Sequence, residues 1–298
     1  MFDRTKVFLG ITPTGWTNDD LPLLGDHTPF EQVISEMALA GFEGCSVGHN
    51  FPRDPAILKP ALELRGLRVS EPWASTYFTV NEMAQQTEAN FREQLAFIKA
   101  MGGTDLVVAE LGHAVHQQPV ALFPNKPVFT VEQWERLAAG LNSLGRIAVD
   151  EGMQLCYHHH LGTGVQFRHE IDRLMASTDP DLVNLLLDTG HLFAAGDDPL
   201  ELARTYASRI KHVHLKDIRV DILEESKRLG RSFLESMEAG FFTVPGDGAI
   251  DFRPIFQALA DSGYQGWLIV EAEQDPAKAN PLLYAKKARA YLHEVAGL

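Results

Sequence analysis

The chain alternates strand-length runs with helical segments from end to end, and this alternation constrains the fold more than any other feature. Apolar, β-branched runs recur eight times, at residues 7–12, 44–47, 67–71, 106–110, 154–160, 183–188, 210–215 and 267–271. Segments of helical periodicity separate them, at residues 29–40, 55–64, 80–101, 131–151, 199–207 and 252–261. Because the runs are almost continuously apolar, they predict a parallel sheet that is covered by helices on both faces.

The length of the chain limits which parallel-sheet fold it can form. Its 298 residues suit one closed (β/α)8 barrel, which needs about 250 residues. No linker or shift in composition divides the sequence, so we predict an α/β fold with a single TIM-barrel domain over residues 1–298. A doubly wound open sheet is the alternative. Segment 221–244 is long for a βα connection and is partly helical in pattern, as expected of an insertion over an active-site face.

Local signals mark where the helices begin and end. Two pairs have the spacing of a capping box, Thr79 with Glu82 and Thr130 with Gln133. Five glycines fall between a helical segment and the next strand, where a left-handed stop is expected: Gly41, Gly66, Gly102, Gly152 and Gly263.

Composition excludes several classes of protein. Asp and Glu number 40 against 26 Lys and Arg, a formal charge of -14, and such a surface repels nucleic acid. No stretch approaches the ~20 apolar residues of a membrane helix, and residues 7–9 are too short an apolar run for a signal peptide. Cys45 and Cys156 both lie in or beside apolar runs, which indicates buried thiols rather than a disulfide framework. We predict a soluble, cytoplasmic protein without membrane or nucleic-acid partners.

Polar residues stand at the ends of most predicted strands. In a TIM barrel the chemistry takes place at these carboxyl ends. The ionisable residues found there or just beyond are Glu71, Glu110, His158, His159, His160, Asp188, His191, His214, Lys216, Glu271 and Glu273. Because strand side chains alternate, His158 and His160 share one face, as do His212 with His214 and Glu271 with Glu273.

Imidazoles and carboxylates that converge from neighbouring strands predict a mixed nitrogen and oxygen metal site. Such donors suit Mn²⁺, Co²⁺, Fe²⁺ or Zn²⁺ better than Ca²⁺. The best set takes one ligand from each of the last four strands: His158, Asp188, His214 and Glu271. Each motif alone has a plainer interpretation, for example an aspartate that caps the next helix, and only their combination favours a metal.

Several other residues are candidates for the substrate. Trp16 and Trp73 have the ring size to stack on a sugar or to cover the barrel mouth. The loop at residues 245–248, Pro-Gly-Asp-Gly, is either a close approach to a ligand or a plain turn.

Long motifs carry a family resemblance over essentially the whole chain. They lie at residues 15–20 (GWTNDD), 51–55 (FPRDP), 157–164 (YHHHLGTG), 188–191 (DTGH), 212–217 (HVHLKD), 242–248 (FTVPGDG) and 271–276 (EAEQDP). With them the chain resembles the xylose isomerase-like (AP endonuclease family 2) TIM barrels, and within these the keto-cyclitol dehydratases of inositol catabolism.

The resemblance implies a lyase that binds Mn²⁺ or Co²⁺, with Zn²⁺ or Fe²⁺ as alternatives, and dehydrates 2-keto-myo-inositol to a trihydroxycyclohexanedione. Asp188, His214 and Glu271 match three ligand positions of the family. His158 stands where many members have Glu, and His160 is its substitute. Three places depart from the pattern of the branch, Ser46, residues 70–74 and residues 109–111, and all lie on strands that shape the substrate pocket.

The implied reaction needs a base for an α-proton and an acid for a departing hydroxyl, by way of a metal-stabilised enediolate. Candidates for these roles are Glu110, His191 and Glu273. Lys216 and Arg219 are candidates for holding substrate hydroxyls or for neutralising the enediolate, and His160 for contacting the substrate.

Three other functions remain open. A ketose epimerase or sugar isomerase uses the same chemistry, an endonuclease needs more ligands and a basic surface, and a sugar-binding barrel needs no turnover. We expect a small polyol ketone or sugar as the partner, and either a monomer or a homo-oligomer.

Overall fold

Strands fill eight positions around a parallel barrel in the computed structural model, which describes residues 2–298. In chain order the strands are β1 (Val7–Ile11), β2 (Gly44–Cys45), β3 (Arg68–Val69), β4 (Trp73–Thr76), β5 (Asp105–Glu110), β6 (Gln154–His158), β7 (Val183–Asp188), β8 (Ile210–Leu215), β9 (Asp217–Ile218), β10 (Phe242–Thr243) and β11 (Gly266–Val270). The helices are α1 (Phe30–Ala40), α2 (Pro55–Glu63), α3 (Ala84–Met101), α4 (Val131–Asp150), α5 (Arg168–Ser177), α6 (Thr189–Ala195), α7 (Pro199–Thr205), α8 (Val220–Leu229), α9 (Phe233–Glu238), α10 (Phe252–Asp261) and α11 (Pro281–Ala296).

The strand order closes the barrel. Nine strands form one sheet in the order β3-β2-β1-β11-β8-β7-β6-β5-β4, and its two edge strands are consecutive in the chain. The backbone N–H of Ser70 donates to the carbonyl of Cys45 in β2 (2.9 Å). Two residues later, the carbonyl of Pro72 accepts from the backbone N–H of Val107 in β5 (3.3 Å). The chain therefore changes its pairing partner between these two residues, where Pro72 has no N–H to donate. The predicted strand at residues 67–71 is confirmed in its place, but β4 was not predicted.

The register of the sheet brings polar strand ends to one level. Asp188 at the end of β7 is paired with His214 of β8, and His214 is paired with Ile269 of β11. All pairs of the large sheet are parallel, so the carboxyl ends lie at one face of the barrel. The predicted TIM barrel is confirmed.

Most local signals are confirmed, and one is wrong. Thr130 and Gln133 form the capping box of α4, and all five predicted glycine stops have φ between 69° and 91°. Thr79 does not cap α3, because this helix begins at Ala84 after an N-cap residue, Met83, without a side-chain cap. Thr79 instead donates through its backbone and hydroxyl to Glu110.

The predicted insertion after β8 is present as two short helices and a small sheet. Helices α8 and α9 precede β10, which pairs antiparallel with β9. The Asp217 carboxylate accepts from the backbone N–H groups of Gly246, Gly248 and Ile250 (2.9–3.2 Å). These bonds hold the loop at residues 245–248 against the barrel, so the loop is a turn fixed by hydrogen bonds.

Two further observations concern the whole chain. Cys45 and Cys156 are buried free thiols, as predicted. Among the helices of residues 2–298, none combines the length and the apolar character that crossing a bilayer requires.

Candidate active site

A cavity of about 290 Å³ opens at the carboxyl ends of the barrel strands. This volume is close to the lower end for small-molecule sites, about 300–1,000 Å³, and suits a ligand of the size of a monosaccharide. Six of the predicted site residues line it: Trp73, His158, His160, His214, Glu271 and Glu273. Glu71, noted at a strand end but given no role, is also in the wall, together with side chains that were not predicted individually, among them Asn18, Asp20, His116 and Gln117.

Three of the four predicted metal ligands line this cavity, and the fourth, Asp188, is buried beside two of them. Ligand atoms of His158, Asp188 and His214 all lie within 4.8 Å of one another. Asp188 Oδ2 is 3.2 Å from His158 Nε2 and 3.8 Å from His214 Nδ1. Glu271 Oε2 lies 2.5 Å from the same His214 nitrogen. Since metal–ligand bonds of this kind are about 2.0–2.2 Å long, one cation can contact such a set.

The buried nitrogens of His214 support this interpretation. Carboxylates of Glu271 and Glu71 face them, but neither nitrogen has a hydrogen bond of good geometry from any residue between 2 and 298, although the side chain is buried. A buried polar atom without a partner is costly, commonly ~1–3 kcal/mol, and calls for an explanation such as an ion. The donor set therefore fits a divalent metal.

Electrostatics at His214 and His158 differ in a way that also fits a cation. Burial opposes protonation of His214, but the carboxylates of Glu271 and Glu71 raise its pKa to about 10. The negative potential that holds this proton would hold a metal ion in its place. Burial, together with the charge of His214, lowers the pKa of His158 well below its usual value, so its ring is neutral and available as a ligand.

Lys216 lies behind the cavity rather than in it. Its ammonium is fully buried and donates to Glu271 Oε1 (2.8 Å) and Glu273 Oε2 (3.0 Å). His191 Nε2 lies 2.9 Å from the same nitrogen, and the Phe242 ring centroid is 4.3 Å away. Burial opposes the charge of Lys216, but the neighbouring carboxylates outweigh it and raise the pKa of Lys216 above its usual value. Lys216 and His191 thus position the two glutamates that face the cavity.

Glu273 is the one predicted catalytic residue that lines the cavity. Burial raises the pKa of its carboxyl to about 8, with Lys216 lowering it and Glu271 raising it.

The three consecutive histidines have three different environments. His159 points away from the cavity, and its Nε2 accepts from the backbone N–H of Asp188 (3.3 Å). His160 lines the cavity, donates through Nδ1 to the Leu161 carbonyl (2.7 Å), and packs on the His191 ring with centroids 3.9 Å apart. His158, and not His160, lies beside Asp188.

Glu110, predicted as a candidate acid or base, does not line the cavity. It is fully buried, and both carboxylate oxygens accept hydrogen bonds. Oε2 accepts from Thr76 at the end of β4 and from Phe78 in the loop that follows, and Oε1 accepts from Thr79 of that loop and from Gly112 after β5. With all these bonds the side chain fastens a loop, and the geometry does not bring it to the cavity.

Trp16 and Arg219, predicted as substrate contacts, also lie outside. The Trp16 side chain is 2% exposed, and its indole N–H donates to Glu36 (2.6 Å). Arg219 donates to the Gly240 carbonyl and to Asp247 (both 2.7 Å), which ties the insertion to its own loop. Both are structural contacts.

Trp73 differs from these two. It lines the cavity and remains 40% exposed, with its ring 5.6 Å from that of His158 in a T-shaped arrangement. Its position at the mouth agrees with the predicted substrate contact.

Two loops that the sequence left unassigned cover part of the cavity. Gln117 Nε2 donates to Asp20 Oδ1 (2.7 Å), and His116 Nε2 lies 3.8 Å from the same oxygen. Asp20 belongs to the motif at residues 15–20, which was the available signal. His116 and Gln117 lie in an irregular stretch after β5, where no periodicity could mark them.

Comparison with known proteins agrees with this architecture. Residues 34–295 match the family described as xylose isomerase-like TIM barrel. An inosose dehydratase of Geobacillus thermodenitrificans is 52% identical to the chain over 299 aligned positions, covering 100% of both chains. A crystal structure of D-psicose 3-epimerase in the presence of D-fructose shares the fold, with a TM-score of 0.72, 18% identity, and coverage of 98% of this chain and 100% of that one. The IOLI protein with a bound zinc atom has the same TM-score at 16% identity, covering 97% and 98%.

A parallel barrel with a buried histidine and carboxylate cluster at its carboxyl end defines the class as a TIM-barrel enzyme. The chain belongs to the xylose isomerase-like TIM barrel family, and within it to the family of the inosose dehydratases. The predicted family and the predicted enzyme class, a hydro-lyase, are thereby confirmed.

Proposed function

We propose that the chain dehydrates a keto-cyclitol, 2-keto-myo-inositol, to a trihydroxycyclohexanedione and water in inositol catabolism. The observation that carries the proposal is the cluster of His158, Asp188 and His214, which Glu271 joins through His214, beside a cavity of about 290 Å³. The inosose dehydratases that match the full length of the chain supply the substrate class.

The same four side chains would hold a divalent metal, Mn²⁺ or Co²⁺ in our proposal, with Zn²⁺ or Fe²⁺ as alternatives. When bound, such a metal supplies a Lewis acid for the ketone oxygen of the substrate. His158 provides an uncharged nitrogen, whereas Asp188 and Glu271 provide negative charge in a site that is almost closed to water.

The chain's own residues supply binding and proton transfer. Trp73 places an apolar ring at the cavity mouth, where it can cover one face of the cyclitol, and His160 and Gln117 line the walls that meet its hydroxyls. Glu273 presents its carboxylate to the cavity and is the group we assign to moving a proton between the α-carbon and the departing hydroxyl. Lys216 holds this carboxylate at Oε2 and keeps its orientation fixed.

The direct test is an ultraviolet assay on 2-keto-myo-inositol. Protein freed of metal with a chelator should be inactive, and addition of Mn²⁺ or Co²⁺ should restore an absorbance increase in the near ultraviolet, because the enolised dione is conjugated. Substrate in the same buffer with metal but without protein is the control.

The competing activity, epimerisation of a ketose or cyclitol ketone, predicts a different result in that experiment. The proton would return to the same carbon, so deuterium from the solvent would enter the substrate without any change in absorbance. Such exchange without water loss would contradict the proposed dehydration.

Replacement of Glu273 by Gln tests the proton-transfer assignment. We expect kcat to fall by about 10²–10⁴-fold, the usual contribution of general acid–base catalysis. The bound metal should remain at wild-type stoichiometry, because Glu273 lies outside the ligand cluster. The measurements are steady-state kinetics and elemental analysis of the same preparation. A variant with near-normal kcat would remove Glu273 from the reaction.

The cytoplasmic location, the absence of nucleic-acid and membrane partners, and self-association stay predictions from the sequence.

A further inference from the structure

Glu71 is a buried carboxylate that the proposed reaction leaves without a role. It lies between β3 and β4, where the chain changes its strand partner, and only 3% of it is exposed. It lines the cavity, and neither of its oxygens has a hydrogen bond of good geometry from any residue the structure describes. A charged group in this position needs a partner.

The nearest groups to Glu71 are two imidazoles of β8. Its Oε1 lies 3.5 Å from His214 Nε2, and its Oε2 lies 3.4 Å from His212 Nε2. The other nitrogen of His212, Nδ1, is 2.9 Å from Asp105 Oδ2. Asp105 is held in turn at its second oxygen, which accepts from Gln154 (2.8 Å). A row of alternating carboxylates and imidazoles therefore runs from Asp105 to His214 through the barrel interior.

The orientation of the His214 ring connects this row to the metal cluster. Nδ1 faces Glu271 and Asp188, and Nε2 faces Glu71 on the opposite edge. A metal-ligating histidine generally donates its second ring N–H to a carboxylate, which fixes the tautomer, orients the ring and strengthens it as a ligand.

We propose that Glu71 is a positioning residue for His214: it accepts the Nε2 proton, so that the Nδ1 lone pair is directed at the metal, and Asp105 and His212 hold it there. The inference rests on the metal site of the proposed function. This role also explains why a glutamate lies between β3 and β4. A residue at this break is not paired with a neighbouring strand, so its side chain can point into the barrel.

The groups around Glu71 agree with an acceptor role. Ring nitrogens of His214 and His212 face its two oxygens, and a carboxylate is a strong acceptor for an imidazole N–H.

The experiment compares the metal affinity of the wild type, Glu71→Gln and Asp105→Asn by equilibrium competition of the metal-free proteins for Co²⁺ against a chromophoric chelator. We expect one Co²⁺ per wild-type chain and a Kd raised by about 10–100-fold in Glu71→Gln, the usual cost of losing such a partner. Asp105→Asn should weaken binding less, because it acts only through His212. The visible absorption of bound Co²⁺ should shift in Glu71→Gln, which a purely structural role would not cause.

Glu110→Gln is the matched control, because Glu110 is an equally buried carboxylate that contacts a loop and no histidine of the cluster. It should bind Co²⁺ as the wild type does, even if its urea midpoint falls. A folded Glu71→Gln protein with the wild-type Kd and spectrum would overturn the inference. Binding of two Co²⁺ per wild-type chain but only one per Glu71→Gln chain would also overturn it, since Glu71 would then be a ligand itself. A wild type that binds no Co²⁺ would instead overturn the metal site of the proposed function.

Discussion

Replacement of Asp188 by Asn should empty the metal site and reduce turnover by at least about 10³-fold while the fold is kept. Asp188 Oδ2 lies beside both His158 and His214, so the variant removes the negative charge at the centre of the cluster. Lewis-acid assistance is worth several kcal/mol, and each 1.36 kcal/mol changes a rate tenfold. Elemental analysis and the ultraviolet assay on 2-keto-myo-inositol measure the two effects.

The choice of Asn rather than Ala separates chemistry from folding. Asp188 Oδ1 also caps α6 by accepting from the backbone N–H of His191 (2.8 Å). Asn can keep this bond, whereas Ala loses it at a cost of ~1 kcal/mol. The two variants should therefore lose metal and turnover alike but differ in urea midpoint. Stoichiometric metal and near-normal rates in Asp188→Asn would contradict the ligand assignment.

The fold and the meeting of the four histidine and carboxylate side chains could be predicted because both follow from strand positions. Apolar runs fix where strands lie, parallel strands end at one face, and alternation fixes which side chains share an edge. These rules place His158, Asp188, His214 and Glu271 together without knowledge of any helix packing. The break at Pro72 was missed because two short strands with different partners follow each other without a turn signal between them.

The burial of a strand-end side chain and the groups that it contacts could not be predicted in the same way. Glu110 ends a strand, as Asp188 does, yet its carboxylate turns to Thr79 and the following loop. Lys216 lies at a strand end too, but Phe242 of the insertion packs over it, and that contact joins residues distant in sequence. Position along a strand is encoded locally, whereas what covers a strand end depends on loops whose paths have no periodic pattern.

Replacement of Lys216 by Met should be the most destabilising change at the site in metal-free protein. The ammonium is fully buried between Glu271 and Glu273. At about pH 9, above the pKa of about 8 that Glu273 has beside Lys216, its loss leaves two carboxyl groups out of water that cannot both stay ionised without repulsion. Breaking a buried ion pair in this way costs about 3–5 kcal/mol. Unfolding in urea, followed by circular dichroism with and without Mn²⁺, measures the change, and bound metal should offset part of it because a cation then faces Glu271 again.

Two further variants identify the cause of that loss. At about pH 9, where Glu273 is above its pKa of about 8, adding Glu273→Gln to Lys216→Met removes one of the two mutually repelling carboxyl groups and should recover part of the stability, which loss of packing alone would not allow. Lys126→Met is the comparison, because Lys126 is a nearly buried ammonium that pairs with one carboxylate, Glu170 (2.6 Å), which retains backbone donors from residues 166 and 167. Its cost should be smaller. A cost below ~1 kcal/mol for Lys216→Met, or no recovery in the double variant, would mean that Lys216 does not offset the repulsion between the two glutamates.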